Sequence, residues 1–392
     1  MSAVEFEVRF VNSESLIVPG LWDACFAPPL EGRWWYATLE QCGLEDQFSF
    51  LYGVISRGGM AVGIAPLFFM DFPVALVAPP QMLRAVERLG RVFPSLVRPR
   101  TLFVGSPCAD EGTVGLIQGV DRRAALFSLQ QALEAQARVL GAALIVWKDF
   151  PASRAADLDW LAQRRRLFRV VSFPGTAVDF PGRTKEAYFA SLKGKRRHNL
   201  RKKIRRSAAN VDVRVEVVQH PDGLVLDEVF SLFWQTYEHA TVRFEKLNRK
   251  FFEIVATQSV THFILLRERS SNEMIAFMLC FAVGSKIINK FIGIDYRRPR
   301  EWLLYFRLWD AAVDWALSRG ADTIQSGQTG YAPKIETGHR LAPMTNYCAH
   351  RNPVIHAIGS ACARRIDWST LDDDLGRVIQ AHPDALKNLP LD

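Results

Sequence analysis

Trp302-Leu-Leu-Tyr-Phe-Arg-Leu-Trp-Asp-Ala-Ala-Val-Asp-Trp-Ala-Leu-Ser-Arg-Gly-Ala-Asp-Thr-Ile-Gln325 is the stretch on which the fold turns.

 Apolar residues recur at helical spacing up to Arg319, glycine follows, and the chain passes at once into a short apolar strand, Asp322–Gln325. Glycine just past a last turn takes the left-handed cap conformation without steric cost. Upstream, Thr261–Arg267 and Met274–Val283 flank Glu268–Glu273 as a hairpin would. The first half of the chain repeats that order: Phe48–Ser56 and Met60–Phe69 about Arg57-Gly58-Gly59, a helix over Arg122–Leu140, a stop at Gly141, and a strand at Ala143–Trp147. The repeat predicts two copies of one α/β unit, the first with an insertion near Pro73–Pro99. Composition divides the chain into an N-terminal lobe, 1–165, a second lobe, 166–352, and a tail, 353–392, in which Asp372-Asp373-Asp374, Pro383 and Pro390 suggest loose packing.

With 49% hydrophobic and 23% charged residues over 392 positions, the chain has the composition of a globular protein rather than a disordered or collagen-like one. Ala65–Val77 is broken by Asp71 and Met274–Gly284 is strand-length, so no stretch reaches the ~18 apolar residues of a spanning helix. The opening Met-Ser-Ala-Val-Glu-Phe-Glu-Val does not read as a signal peptide. Six cysteines, Cys25, Cys42, Cys108, Cys280, Cys348 and Cys362, lie far apart without a C-x-x-C pair. A cytoplasmic protein with reduced thiols and no metal site is the expectation.

The net charge of +8 is a local property. Lys193 to Arg206 holds nine Lys or Arg and no acid, and subtracting these from +8 leaves −1 for the rest. Phe189, Leu192, Leu200 and Ile204 fall at helical spacing within Lys185–Ser207, so one narrow face packs while the others present cations. Thr184 is placed to cap the start. Nine like charges repel one another, and an anionic ligand relieves them. Guanidinium forks and ammonium groups suit phosphate. This selects a phosphate-rich ligand but leaves open a nucleotide thioester, a tRNA or a lipid head group.

Three blocks carry a family resemblance. The run from Tyr188 to Arg206 resembles the opening of the catalytic half of Fem-like acyltransferases in the GNAT superfamily. Phe233–Phe244 with Leu247–Phe252 resembles that group's next helix and its sequel. Gly327-Gln-Thr-Gly-Tyr-Ala-Pro-Lys-Ile-Glu-Thr-Gly-His339, then Pro343–His350, is similar to signatures of FemAB-like proteins of the peptidoglycan biosynthesis or recognition type. The likeness spans about Phe180–Asn352. It implies a duplicated GNAT fold of the α/β (α+β) class, two mixed-sheet lobes with a cleft. A bulge splays the sheet, and an acyl donor enters where the strands part. An amine then attacks the donor carbonyl directly, without a covalent enzyme intermediate. Two departures stand out. The glycine-rich pyrophosphate loop is replaced by Gly293-Ile-Asp-Tyr-Arg-Arg-Pro-Arg-Glu-Trp302, and Thr337 stands where the signature has arginine.

The expected activity is N-acyl or aminoacyl transfer to an amine acceptor. The donor substrate is acyl-CoA in the first reading and aminoacyl-tRNA in the alternative, with no tightly bound cofactor and no membrane span. A ligand-binding module for cell-wall precursor or RNA is the non-catalytic rival. Such a reaction needs a proton route and donors for an oxyanion. Asp295, at the end of the apolar run Ile287–Ile294, is read as a base or as a partner of the neighbouring arginines. Gln328, Tyr331 and Lys334 lie on a glycine-punctuated loop after the last strand of the repeat, where open α/β sheets place ligands. Tyr331 is nominated as acid, Lys334 as carbonyl or phosphate contact, Gln328 as donor contact. His350, and after it His339, can carry a proton. Of Tyr237, Glu238 and His239 on one helix, Glu238 is the candidate. Lys193, Arg196, Arg197, Arg201, Arg297 and Arg298 are nominated to hold donor phosphates, with Arg300 beside them. The Trp302, Tyr305, Phe306, Trp309 and Val313 set reads as a buried helix face.

Overall fold

The computed structural model describes residues 6–76, 80–240 and 243–382, without the side chains of 80–82. Pro383, Pro390 and the first five residues of the chain fall outside the described residues. In chain order the strands are β1 (Phe6–Val11), β2 (Ser49–Arg57), β3 (Met60–Asp71), β4 (Arg100–Val104), β5 (Gly115–Leu116), β6 (Leu144–Pro151), β7 (Phe168–Asp179), β8 (Val213–Val218), β9 (Thr261–Glu268), β10 (Met274–Val283), β11 (Lys286–Ile294), β12 (Thr323–Gln325) and β13 (Arg340–His350). The helices of the first half are α1 (Pro19–Cys25), α2 (Arg33–Gln41), α3 (Pro80–Val92), α4 (Pro94–Val97), α5 (Arg122–Val139) and α6 (Ala155–Arg165). Those of the second half are α7 (Lys185–Ser191), α8 (Gly194–Asn210), α9 (Gly223–His239), α10 (Arg249–Ala256), α11 (Leu304–Ser318), α12 (Tyr331–Glu336), α13 (Pro353–Ala363), α14 (Trp368–Leu371) and α15 (Asp373–Ala381).

Two compact units form, and each exchanges a segment with the other's stretch of sequence. One gathers the described residues of 1–27, 44–174 and 342–392; the other comprises Pro28–Gly43 and Gly175–Leu341. The start of β7 and the stretch 342–352 thus fall in the first unit. The first unit's strands run β1-β2-β3-β4 antiparallel, then β6 parallel to β4, then β13 antiparallel to β6. The second unit has β8-β9-β10-β11 antiparallel, β12 parallel to β11, and β7 antiparallel to β12. Each parallel strand is reached through a long helix, α5 in one unit and α11 in the other, as a crossover requires. The helices end at Gly141 and Gly320, with φ of 68° and 67°, so the repeat read from the sequence is the architecture of the molecule.

The first unit's core lines α5 and the inner face of its strands with Leu126, Leu129, Leu133, Val104 and Trp147. Trp147 Nε1 donates to Gln130 Oε1 at 2.8 Å, which makes burial of both polar groups tolerable. Residues 353–381 are not a loose tail: Leu371, Leu375 and Val378 are buried, and Trp368 Nε1 donates to the Ser172 carbonyl. The acidic Asp372 that suggested looseness caps α15. All six cysteines are free thiols.

In the second unit α11 seats Leu304, Leu308, Trp309 and Val313 in one core. An aromatic set of Phe233, Phe252, Phe277 and Phe291 joins α9 and α10 to β10 and β11. Gly293 lets α9 lie that close. A Cβ there would come within 2.3 Å of the Phe277 ring and 2.7 Å of the Leu232 backbone. Backbone has no rotamer through which to yield, so Gly293→Ala is expected to cost about 3 kcal/mol. Denaturant midpoints measure it, and a variant as stable as the parent would show that α9 does not sit on β11 as described.

Candidate active site

β11 and β12 begin side by side, with Lys286, Ile287 and Ile288 opposite Thr323, Ile324 and Gln325. There the parallel pairing stops, and the two strands continue into different surroundings. β11 runs on to Ile294 against β10, whereas β12 gives way to the loop Ser326–Gly330. A β-bulge accompanies the parting: Leu279 faces Phe291 and Cys280 faces Asn289, leaving Lys290 as the extra residue. Its side chain is buried, 3.6 Å from Glu31 and over the Trp35 ring at 4.7 Å.

Polar groups gather where the strands diverge. Asn289 Nδ2 donates to Ser326 Oγ at 3.3 Å, while Asn289 Oδ1 is buried without a hydrogen-bond partner. Ser326 Oγ is 2.9 Å from His339 Nε2. The other ring nitrogen, Nδ1, lies 2.9 Å from the Lys334 carbonyl and 2.9 Å from Thr337 Oγ1. A carbonyl can only accept, so Nδ1 carries the proton and Nε2 accepts from the serine hydroxyl. Burial pushes the His339 imidazole down to about 3, and the nearby Lys334 ammonium adds to this. It is neutral at physiological pH.

The Lys334 ammonium donates to the backbone carbonyls of Ser326 and Gln328, the latter at 3.1 Å, with the Gly327 carbonyl at 3.4 Å. It holds in place a loop in which Gly327, Thr329 and Gly330 all have positive φ. Tyr331, at the first turn of α12, is fully buried. Gln328 places its carbonyl on Lys334. Lys334, Gln328 and Tyr331 thus share one neighbourhood, which also holds Ser326, Asn289 and His339.

The basic segment is two helices rather than one. Thr184 Oγ1 accepts from Ala187 N to start α7, and the chain breaks at Leu192–Lys193 before α8. Leu192 lies against Gly338, whose ideal Cβ would be 2.3 Å from it, and Lys203 pairs with Glu336 on α12. The cationic rod therefore packs on the helix that carries Lys334. Ser207 Oγ and Asn210 Nδ2 donate to the carbonyls of Trp302 and Glu301, fixing its far end. Glu301 lies in a single 3-10 turn before α11, not on that helix. Lys193, Lys195, Arg201, Lys202, Arg205 and Arg206 are exposed, while Arg196 and Arg197 are partly buried. Arg201 stacks on the Phe189 ring at 4.8 Å.

Other nominated residues stand elsewhere or are already engaged. Asp295 is buried and ion-paired, at 2.8 Å to Arg297 Nε and 3.2 Å to Arg298 Nε. Burial alone would raise its pKa, but the hydrogen bonds from Arg297 and Arg298 outweigh it and hold the carboxyl below the ordinary range. A carboxylate so held is a poor base. Arg298 also pairs with Glu268 and Glu273, so the junction's charge is largely spent within the protein. Glu238 is exposed and accepts from Trp234 Nε1 one turn earlier. His350 belongs to the first unit, where Nδ1 accepts from Asn352 N.

The sequence passed over Asn289, Lys290 and Ser326. The one signal was a polar pair, Asn289-Lys290, inside an otherwise apolar strand, as a bulge demands. Among the described residues no cluster suited to a metal ion occurs, and no helix is long and apolar enough to cross a membrane.

Comparison with known proteins now has a geometry to explain. No curated protein sequence matches the chain. The crystal structure of FemX superposes with a TM-score of 0.59 at 11% identity, covering 90% of this chain and 99% of that one. A tandem GNAT protein from the clavulanic acid biosynthesis pathway gives 0.53 at 12% identity, with 89% and 99% covered. L-PGS from Bacillus licheniformis gives 0.51 at 12%, with 83% and 94% covered. Identities this low speak for the fold alone. By sequence, residues 175–359 match the FemAB-like family described as peptidoglycan biosynthesis/recognition. With its duplicated strand order and the parting of β11 from β12, the chain carries a FemAB-like segment over residues 175–359 on a tandem GNAT fold.

Proposed function

We propose that the second unit transfers an acyl or aminoacyl group from an activated, phosphate-bearing donor to an amine. The observation that carries this reading is the parting of β11 and β12, lined by a buried, unpartnered Asn289 Oδ1 and a loop tied down by Lys334. An amide-bearing donor arm lying between the strands would give Asn289 Oδ1 an N–H to accept. Bringing the donor carbonyl and a nitrogen nucleophile together there supplies the largest part of such a reaction. Lys334 and the loop N–H groups would stabilise the oxyanion as it forms. As the donor's carbon–sulfur or carbon–oxygen bond breaks, the amine's proton would pass to the departing sulfur or oxygen, while Ser326, its hydroxyl turned to His339 Nε2, would stay a fixed dipole beside the loop. Phosphates would rest on α8 rather than on Arg297 and Arg298, which are engaged with carboxylates.

A coenzyme A thioester is the donor we favour. The test is release of free thiol when the purified chain is given a series of acyl-CoA donors with diamines or amino acids. Product formed only with aminoacyl-tRNA would replace the thioester by the RNA-borne donor, with binding that weakens steeply as salt rises. No transfer from either donor would overturn the reading in favour of a binding module. If α8 holds the donor, replacing Arg196, Arg197 and Arg201 with Gln raises donor KM about tenfold and leaves kcat nearly unchanged, since the charge grips ground and transition states alike. A fall in kcat at constant KM would contradict that role.

A further inference from the structure

The first unit contains a segment that neither its fold nor the proposed reaction uses. In the second unit β10 turns into β11 through Gly284 and Ser285 alone. The corresponding connection in the first unit, from β3 to β4, is residues 72–99 and carries α3 and α4. The sheet closes without such an excursion in one copy, so it answers some other demand in the other.

The excursion packs mainly on itself. Gly90 of α3 lies against Val97 of α4, whose Cγ2 would be 2.8 Å from an added Cβ. That closed hairpin leaves Leu89, Val92, Phe93 and Leu96 exposed by 42, 67, 54 and 40%. Leu89 and Val92 stand three residues apart on one face of α3, and Phe93 and Leu96 follow in the turn and in α4. Arg84, Arg88 and Arg91 repeat at four and three residues, and Arg88 stands one turn before Val92, so the arginines border the exposed apolar residues. With Arg98, four arginines face one acid, Glu87, between 80 and 98.

We propose that α3 and α4 dock on an anionic lipid bilayer, the exposed apolar residues entering the acyl boundary and the arginines meeting phosphate head groups. An apolar face that its own unit does not cover, bordered by one sign of charge, is the pattern of a helix lying in the interface plane. Charge chooses the occupant. A second copy would bring the same excess of arginine to the contact, whereas an anionic leaflet attracts each arginine. This attachment lies along the surface and asks for no spanning helix. It is independent of the transfer reaction proposed above.

Flotation of the full chain with vesicles tests it. Vesicles of phosphatidylglycerol and phosphatidylcholine should bind the chain about tenfold more tightly than phosphatidylcholine alone, and ~0.5 M salt should remove most of that difference. Leu89→Ser with Phe93→Ser should lose about tenfold in affinity for the anionic vesicles while the melting temperature holds, because both side chains are exposed. Arg88→Gln with Arg91→Gln should weaken binding and flatten its salt dependence. Absence of vesicle binding would overturn the proposal. So would anionic binding unchanged in the serine variant, which would assign it to cations elsewhere, such as α8. A concentration-dependent dimer abolished by the serine pair would make a second copy the occupant instead.

Discussion

In the transfer reaction proposed for the second unit, Lys334→Met is expected to lower kcat about a hundredfold, a barrier increase of roughly 2.7 kcal/mol, with donor KM changed much less. The ammonium meets the carbonyls of Ser326, Gly327 and Gln328 at the end of β12. Three carbonyl dipoles aimed at one point repel each other unless a cation stands between them. Methionine keeps the length and apolar stem of the side chain but leaves these oxygens uncompensated. The loop then relaxes, and Ser326 with it. In the proposed reaction the oxyanion forms against this loop, so loss of the charge would weigh on the transition state more than on bound donor. Lys334→Arg should recover little, since a planar fork presents its donors differently from a compact ammonium. The measurement is steady-state kinetics with a denaturation curve on each variant. Unchanged kcat in a folded Lys334→Met variant would take the loop out of the mechanism.

The architecture was legible in the sequence where local rules and tertiary packing agree. Hairpin, helix, glycine and strand recur in both halves because each is dictated by neighbours a few residues apart. The exchange of strands is another matter. That β13 joins the first unit and β7 ends in the second depends on which edges need a partner, and no periodicity records this. The basic segment reads as one helix because its helical spacing carries through Leu192, with Arg196 filling the gap before Leu200. The break comes from packing, where Leu192 turns in against Gly338. Nor could charge alone separate Asp295 as a base from Asp295 as an ion-pair partner. Two arginines within three residues left both readings open, and the geometry engages its carboxylate with both.

The site shows the same division. Gln328, Tyr331 and Lys334 are adjacent in sequence and stay adjacent in space, so a loop signature finds them. Glu238 and His350 stand singly, Glu238 accepting from the Trp234 indole and His350 from the Asn352 backbone N–H. Asn289 and Ser326 are ordinary polar residues whose meaning lies in facing one another across the point where β11 and β12 separate. That juxtaposition exists only once the sheet has formed.

His339 supplies the sharpest test of that buried polar group, because its protonation links the site to stability. Its imidazole is enclosed, rests on the Trp309 ring at 4.6 Å, and meets Ser326, Thr337 and the Lys334 carbonyl. His339→Asn at pH 7 removes ring volume and leaves hydroxyl groups short of a partner, an expected loss of about 3 kcal/mol. The loss should shrink in acid. Burial and the Lys334 charge hold the folded imidazole at about 3, below its ordinary 6.5. Between those values the unfolded chain binds a proton that the folded chain refuses. The stability tied to neutral His339 is therefore complete above the ordinary value and drains away as pH falls from about 6.5 toward 3, at up to ~1.4 kcal/mol per unit. Asparagine does not titrate, so the variant escapes that drain. The other titratable groups are common to parent and variant and cancel in the difference. Chemical denaturation at pH 7, 5.5 and 4.5 should show the two stabilities converging. A gap that stays constant over this range would mean that the imidazole takes up its proton in the folded state as it does in water, and the Ser326–His339 pairing would lose its basis.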